Sequence, residues 1–176
     1  HLSRFQLLNE PVKDNHLLIL LSGPEPQRSI LENKIIREIA HYPSTVTIIR
    51  GLPGSDSLIP STGMIKFYNH LPAGELNKEI ESAEYVVSRS GYSTIMDLVR
   101  LKKKSILIPT PGQTEQEYLA DYLTEKKIAF CVSQKEFSIT AALENAAKFS
   151  YHFPSFNPEQ PLSQLISKLI ATAKKK

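Results

Sequence analysis

Residues 17–21 read Leu-Leu-Ile-Leu-Leu and are followed at once by Ser22-Gly23. An unbroken apolar run, without the alternation of a strand that has one face in water, is typical of a strand buried on both faces. Such strands occur almost only in parallel sheets that are covered by helices. The run is also far too short to cross a bilayer. This segment therefore predicts an α/β fold before any motif is considered.

The rest of the chain alternates strand-like and helix-like segments, which favours parallel βαβ units. Further strands are predicted at 45–49, 64–68, 85–87, 105–108 and 128–132. Helices are predicted from Ser29 to before Pro43 and at 72–83, 94–101, 114–125, 138–149 and 163–173. The helices at 29 and 114 begin with the capping-box patterns Ser29-x-x-Glu32 and Thr114-x-x-Glu117. We expect a Rossmann-like parallel sheet with helices on both faces over residues 17–176, and a leader at 1–16.

Composition and charge narrow the class of protein further. The 176 residues carry a net charge of +3, which is too weak to imply nucleic acid but suits a polyanionic small ligand or an anionic membrane.

The only cysteine, Cys131, lies in a predicted strand and is expected to be buried and inert. A single cysteine and no signal peptide indicate a cytoplasmic protein. The basic clusters Lys102–Lys104 and Lys174–Lys176 indicate a solvated surface or, alternatively, peripheral contact with the inner face of a membrane.

Three polar loops follow predicted strands, at the sheet edge where open parallel sheets bind ligands. The first runs from Ser22 and Gly23 to Arg28 and leads into a helix. Its glycine allows close approach of the backbone to a ligand, and a helix N-terminus attracts anions. A plain strand-to-helix turn is the alternative. Neither the dinucleotide fingerprint nor a P-loop is present, so an ordinary NAD or ATP site is not predicted.

The second loop contains a glycine and several hydroxyl groups at the start of a helix, an arrangement that suits a diphosphate. Its candidate residues are Ser90, Gly91, Tyr92, Ser93 and Thr94. One turn later, Asp97 could accept hydrogen bonds from the hydroxyls of a ribose, as acidic residues do in other Rossmann sites. The alternative is that Thr94-x-x-Asp97 only caps the helix.

The third loop, residues 109–116, is stiffened by Pro109 and Pro111 and is rich in polar side chains. Its candidate residues are Gly112, Gln113, Glu115 and Gln116. Glutamine both donates and accepts hydrogen bonds, which matches sugar hydroxyls. A stiff connector before a capped helix is the alternative. The chain has no Asp-x-Asp motif and its histidines lack metal-ligand spacing, so neither a metal nor a cofactor is predicted.

The segments 90–97 (Ser-Gly-Tyr-Ser-Thr-Ile-Met-Asp) and 109–120 (Pro-Thr-Pro-Gly-Gln-Thr-Glu-Gln-Glu-Tyr-Leu-Ala) resemble glycosyltransferase family 28. That family includes the peptidoglycan N-acetylglucosaminyltransferase and the galactolipid synthases. The resemblance implies one half of a GT-B fold, the C-terminal half that binds the nucleotide-sugar. It also implies that an N-terminal domain, absent from this sequence, holds the acceptor and usually the catalytic base. No catalytic residue is therefore expected in this chain.

The resemblance also implies roles for individual residues. Ser22 and Gly23 match a phosphate loop, and the group at 90–94 matches the diphosphate loop. Asp97 stands where the family has a ribose-binding glutamate, and Glu115 with Gln116 matches the pair that reads the sugar. His70 and Leu71 fall where the family's backbone contacts uracil. Arg4, in the leader, falls where a family arginine approaches the donor phosphates.

The function expected from these features is binding of a UDP-sugar for transfer of a hexose or N-acetylhexosamine to an acceptor. Two alternatives remain open: a nucleotide-sugar epimerase or hydrolase of GT-B architecture, and a non-catalytic nucleotide-sugar-binding subunit. The expected partners are the nucleotide-sugar donor and the N-terminal acceptor domain, with no nucleic acid.

Overall fold

The computed structural model describes residues 5–154. Arg4, the helix predicted at 163–173 and the cluster Lys174–Lys176 lie outside the described residues. The strands are β1 (Leu17–Leu20), β2 (Val46–Ile49), β3 (Ile65–Tyr68), β4 (Tyr85–Ser88), β5 (Ser105–Leu107) and β6 (Phe130–Cys131). The helices are α1 (Gln27–Ile39), α2 (Ala73–Ser82), α3 (Tyr92–Arg100), α4 (Thr114–Glu125) and α5 (Ile139–Lys148).

All six strands form one parallel sheet in the order β3-β2-β1-β4-β5-β6, which confirms the predicted fold class. In the central register, Leu18 of β1 lies between Thr47 of β2 and Val86 of β4. The chain leaves β1 toward β2 on one side, and β4 continues toward β5 on the other. The carboxyl ends of β1 and β4 therefore form the topological switch point, the place where sheets of this order bind ligands.

The two faces of the sheet bury separate apolar clusters, as expected for a strand covered on both sides. Leu17 and Ile19 belong to the cluster that α1 and α5 cover, and Leu18 belongs to the cluster that α2, α3 and α4 cover. All three side chains are 0% exposed. The prediction from the run at 17–21 is confirmed, including helices on both faces.

The predicted capping box of the first helix is wrong. The helix begins at Gln27, two residues before Ser29, with Pro26 at the N-cap position. The Ser29 N–H donates to Glu25 Oε2 at 3.1 Å, so an acidic residue outside the pattern satisfies it. Glu32 does not reach back to the helix start, because its carboxylate accepts hydrogen bonds from two arginines.

The starts of α3 and α4 also differ from the sequence patterns. Helix α3 begins at Tyr92, which excludes the alternative that Thr94 caps it, because Thr94 lies inside the helix. The N-cap of α4 is Gln113, so Thr114 is already helical. Glu117 Oε1 accepts the N–H of Gly112 at 3.1 Å instead of closing a capping box.

The leader is held along α2 by hydrogen bonds. Glu81, 5% exposed, accepts the N–H groups of Leu8 at 2.8 Å and Glu10 at 3.1 Å. Asn77 Nδ2, earlier on α2, donates to the carbonyl of Gln6 at 2.9 Å. The leader therefore runs in the same direction as α2, from the carboxyl edge of the sheet toward its amino edge.

Two side chains outside the candidate loops, Lys103 and Cys131, differ in their burial from what the sequence predicts. Lys103 is not part of a solvated cluster: it is 8% exposed and Nζ donates to the carbonyl of Glu81 at 2.7 Å. Burial lowers the pKa of Lys103. Cys131 lies in a strand as predicted but is half-buried rather than buried, and desolvation raises its pKa to about 11, which suits an unreactive thiol. Within residues 5–154, every helix is too short or too polar to cross a bilayer.

Candidate functional site

The three predicted loops lie side by side, because they follow the adjacent strands β1, β4 and β5. The second and third loops form the walls of a cavity of about 450 Å³. Its lining residues are Gly91, Tyr92, Gly112, Gln113, Thr114, Glu115 and Gln116. All but Thr114 are predicted site residues. The sequence patterns gave Thr114 only a capping role, which the structure does not support.

The N-terminus of α3 opens at this cavity without a protein cap. Gly91 occupies the N-cap position with φ −73°, no side chain caps the helix, and its first turn contains no acidic residue. The first N–H groups of an α-helix have no intrahelical acceptor, and the helix dipole makes this end positive. Ser93 and Thr94 are the second and third residues of α3, and neither is fully buried, so both add hydroxyl groups to the first turn of this helix. This end of α3 can therefore accept a phosphate group.

The start of α1 differs in this respect. Glu25 already places a carboxylate there and pairs with Arg28, whose Nε donates to Glu25 Oε1 at 2.6 Å. Arg28 also donates to Glu32, to Ser29 Oγ and to the carbonyl of Arg50. These four acceptors occupy four of the five N–H donors of the guanidinium, which holds the side chain in place within the protein. The ligand role of Arg28 stays a prediction.

Gln116 joins the second and third loops through hydrogen bonds. Its Oε1 accepts the N–H of Thr110 at 3.0 Å, and its Nε2 donates to Gln113 Oε1. Its backbone carbonyl accepts a hydrogen bond from Ser90 Oγ at 3.0 Å. Ser90 is 0% exposed, so its hydroxyl fixes the relative position of the two loops rather than facing the cavity.

The first loop approaches the third at Gly23. Gly23 has φ +102°, a conformation that favours glycine, and both Ser22 and Gly23 are exposed. A Cβ at Gly23 would lie 3.6 Å from Thr110 Oγ1. That hydroxyl is buried and has no hydrogen-bond partner among the described residues. Thr110 is not among the predicted site residues, because a threonine between two prolines carries no periodic signal.

The other predicted residues are not part of the cavity lining, and three of them lie apart from the three loops or inside α3. Asp97 is 6% exposed on α3, His70 is exposed beyond the end of β3, and Leu71 is 6% exposed in the apolar cluster under α2. Their assigned contacts with the ribose and the uracil ring stay predictions. The same holds for the phosphate role of Arg4, which lies outside the described residues.

A parallel sheet of this strand order, with an uncapped helix end and polar loops at its carboxyl edge, defines a Rossmann-like domain whose carboxyl edge can accept an anionic ligand. Residues 65–172 match the glycosyltransferase family 28 C-terminal domain, which is more than half of the chain. The chain belongs to glycosyltransferase family 28, which confirms the resemblance found in the two loop segments.

The chain is also similar to curated glycosyltransferases. Over 138 residues the chain is 30% identical to the UDP-N-acetylglucosamine--N-acetylmuramyl-(pentapeptide) pyrophosphoryl-undecaprenol N-acetylglucosamine transferase of Crocosphaera subtropica (strain ATCC 51142 / BH68), covering 73% of this chain and 37% of that protein. The chain spans between 17% and 37% of the length of the curated relatives it matches.

Solved structures share the fold at low sequence identity. The solution structure of ALG13 superposes with a TM-score of 0.57 at 15% identity, covering 85% of this chain and 92% of that one. The crystal structure of Acinetobacter baumannii MurG gives 0.54 at 12% identity, covering 81% of this chain and 42% of that one. The fold therefore occurs both as most of a chain and as a part of a longer one.

Proposed function

We propose that this chain binds the diphosphate of a nucleotide-sugar, a UDP-sugar, at the carboxyl edge of its sheet. It thereby supplies the donor half of a glycosyltransferase that moves a hexose or an N-acetylhexosamine to an acceptor. The uncapped N-terminus of α3 carries the proposal, because it presents free N–H groups at a cavity whose other wall is the polar loop at 112–116. N–H groups and a helix dipole aimed at the diphosphate would stabilise the charge that develops on the leaving group.

The sugar would lie against the third loop. Glu115 is exposed beside Gln116 in the cavity lining, and a carboxylate and an amide together can accept from and donate to sugar hydroxyls. The names of the curated relatives specify UDP-N-acetylglucosamine as donor. For this chain, that donor is the first candidate to test among UDP-sugars.

The acceptor and the catalytic base would come from a second domain that precedes this one. The course of the leader supports this arrangement: Phe5 is 4% exposed in the cluster that also contains Leu71, near the carboxyl end of β3. The described part of the leader therefore starts near the carboxyl edge of the sheet, where the cavity lies. We propose that residues 1–16 form the crossover between the two domains and that residues 17–176 form the donor domain.

An arrangement in two separate chains also has an observation in its favour. ALG13, which this chain covers to 92%, shows that a fold of this size exists as a separate chain. In that case the donor domain would pair with an acceptor subunit rather than with a domain of the same polypeptide. Donor binding is expected whether the acceptor half is a domain of the same polypeptide or a separate subunit. Transfer activity measured with the acceptor half present would distinguish these two arrangements from a binding subunit that has no catalytic role. Nothing in the described residues favours an epimerase or a hydrolase.

A glycine in the cavity wall provides a sharp test. A Cβ at Gly91 would meet no atom within 4 Å, and its φ of −73° suits any residue, so Gly91→Leu should fold and fill part of the cavity. Calorimetry should show UDP binding by the wild type, tighter than GDP or uridine, and at least about tenfold weaker binding by the variant.

Gly63→Leu is the matched control. A Cβ at Gly63 would also meet no atom within 4 Å, but this residue lies at the end of the loop between β2 and β3, two residues before β3 begins. The Gly63→Leu variant should bind UDP like the wild type. A wild-type chain that binds none of the three ligands would refute the proposal, as would equal binding by the Gly91 and Gly63 variants. Asp97→Asn tests the ribose contact separately: it should weaken UDP binding by about 1–3 kcal/mol if a charged hydrogen bond is lost.

Peripheral contact with a membrane is a further part of the proposal. The curated relatives are named for an acceptor carried on pyrophosphoryl-undecaprenol. Lys102 and Lys104 are exposed in the turn between α3 and β5 and could contact anionic lipid. Sedimentation with anionic vesicles, but not with neutral ones, would support this contact.

A further inference from the structure

Arg89 is the arginine that follows β4 directly, and it is 2% exposed at the carboxyl edge. Its guanidinium joins all three candidate loops. Nη2 donates to the carbonyl of Gln27 at 2.8 Å, and Nη1 donates to the carbonyls of Ile108 at 3.4 Å and Pro109 at 3.3 Å. Arg89 was absent from the predicted site, because a buried arginine cannot be told from a surface arginine in a polar loop.

The positive charge of Arg89 has no counter-ion within residues 5–154. All of its acceptors are backbone carbonyls, its Nε has no hydrogen-bond partner, and it forms no ion pair. Two other arginines at this edge, Arg28 and Arg50, both pair with the carboxylate of Glu32. A buried charge without a counter-ion is strongly unfavourable, and such charges are normally paired.

Burial lowers the pKa of Arg89 to about 10, so the side chain remains protonated at neutral pH. Arg89, which carries this uncompensated charge, precedes by two residues Gly91, the residue at the N-cap position of α3 and a part of the cavity lining. An anion at that helix end would be attracted through the protein interior, where the effective dielectric constant is well below that of water. Arg89 would then act from beneath the site, without touching the ligand.

We propose that Arg89 is a positioning residue whose buried charge is neutralised by the diphosphate of the bound donor. This inference rests on the proposed function, since it requires a diphosphate ligand at the start of α3. It differs from a purely structural role, in which the three hydrogen bonds of Arg89 only hold the loops together. If the role were structural, loss of Arg89 would weaken the binding of charged and uncharged ligands alike. In the proposed role, the loss of affinity increases with the negative charge of the ligand.

The test compares UDP with uridine, which shares the base and ribose but has no phosphate. Arg89→Gln keeps hydrogen-bond donors and removes the charge. Calorimetry of the full chain should show UDP binding weakened by about tenfold, with uridine affinity changed less than about twofold. Arg89→Lys keeps the charge and should retain most of the UDP affinity at pH 7.

Lys103→Gln is the matched control, because it removes another buried cation, one in the turn before β5 at the amino edge of the sheet. It should leave the ratio of UDP to uridine affinity unchanged. A loss of UDP and uridine binding in equal proportion in Arg89→Gln would overturn the inference. So would a loss as large in Arg89→Lys as in Arg89→Gln at pH 7.

A second measurement covers the case in which Arg89→Gln does not fold. A buried lysine loses its proton at lower pH than a buried arginine, so the UDP affinity of Arg89→Lys should fall relative to wild type between about pH 7 and 8.5. A ratio that stays constant over this range would also overturn the inference. If the wild type binds no UDP, the proposed function fails; if it binds UDP and the Arg89 variants bind equally well, only the inference fails.

Discussion

Glu32 is the acceptor at the centre of a buried ionic network, and its replacement by glutamine should be costly. Oε1 accepts from Arg50 Nε at 2.6 Å, and Oε2 accepts from Arg28 Nη1 at 3.1 Å and Arg50 Nη2 at 3.4 Å. The side chains of Glu32, Arg28 and Arg50 are 7%, 7% and 9% exposed. Glu32→Gln keeps one oxygen acceptor but leaves two buried cations facing a neutral amide.

Removing one partner of a buried ion pair costs about 3–5 kcal/mol, and the retained oxygen favours the lower end of this range. A loss of about 3 kcal/mol, with a urea m-value of about 2 kcal/mol/M, lowers the unfolding midpoint by about 1.5 M. Circular dichroism suits the measurement, because the chain contains no tryptophan. Glu25→Gln is the matched control: Glu25 also pairs with Arg28, but its side chain is 54% exposed.

A second readout follows from Arg50, which donates to the carbonyl of Ser57 at 2.7 Å and to Asn69 Oδ1 at 2.9 Å. These contacts hold the loop between β2 and β3 over the sheet edge. Amide hydrogen exchange in residues 51–60 should therefore accelerate in Glu32→Gln and stay unchanged in Glu25→Gln. A midpoint shift no larger in Glu32→Gln than in Glu25→Gln would refute the reasoning that burial makes this carboxylate important.

Two further predictions concern the scaffold. Gly51 has φ +68°, and an added Cβ would clash with the backbone carbonyl oxygen of Leu21. Gly51→Ala should therefore lower the free energy of unfolding by about 2 kcal/mol, whereas Gly63→Ala should change it little in the same urea titration. The pKa of Glu79 is lowered below 4.5, chiefly by His16, whose Nε2 lies 3.6 Å from Glu79 Oε2. A carboxyl group with a depressed folded-state pKa contributes stability that is present above its unfolded-state pKa and is lost as pH falls through the folded value. Thermal unfolding of Glu79→Gln should therefore show a shallower loss of stability on acidification below 4.5 than the wild type, and an identical pH profile would count against this pairing.

The fold was predictable from sequence because its strongest signals are local. The run at 17–21 indicates a strand buried on both faces by itself, and the alternation of strand-like and helix-like segments favours parallel βαβ units, whereas the order of the strands came from the structure. The helix starts were less predictable, because caps depend on competition between side chains. Ser29 and Glu32 have the right spacing for a capping box, but Glu25 supplies the acceptor for Ser29 and a distant arginine, Arg50, engages Glu32.

The loops of the candidate site were also predictable, since the carboxyl ends of adjacent parallel strands meet at one edge. The use of each polar side chain within them was not. Ser90 and Arg28 stand in the expected loops, yet their polar atoms bond mainly to the protein, and Arg89 and Thr110 became visible only through burial. Lys103 turned inward after Lys102, whose φ of +51° reverses the chain, and no sequence pattern marks that reversal.

The hydrogen bonds of Gln116 have a consequence for attempts to change donor selectivity by protein engineering. The backbone carbonyl of Gln116 accepts the Ser90 hydroxyl, and its side chain accepts the N–H of Thr110. Remodelling the loop at 112–116 for another hexose would therefore also displace the segment at 90–94, for which we propose diphosphate binding. Selectivity and donor affinity should then vary together in libraries confined to that loop. Libraries that randomise residues 90–94 and 112–116 together should instead yield variants that accept a new sugar and keep their affinity for the nucleotide.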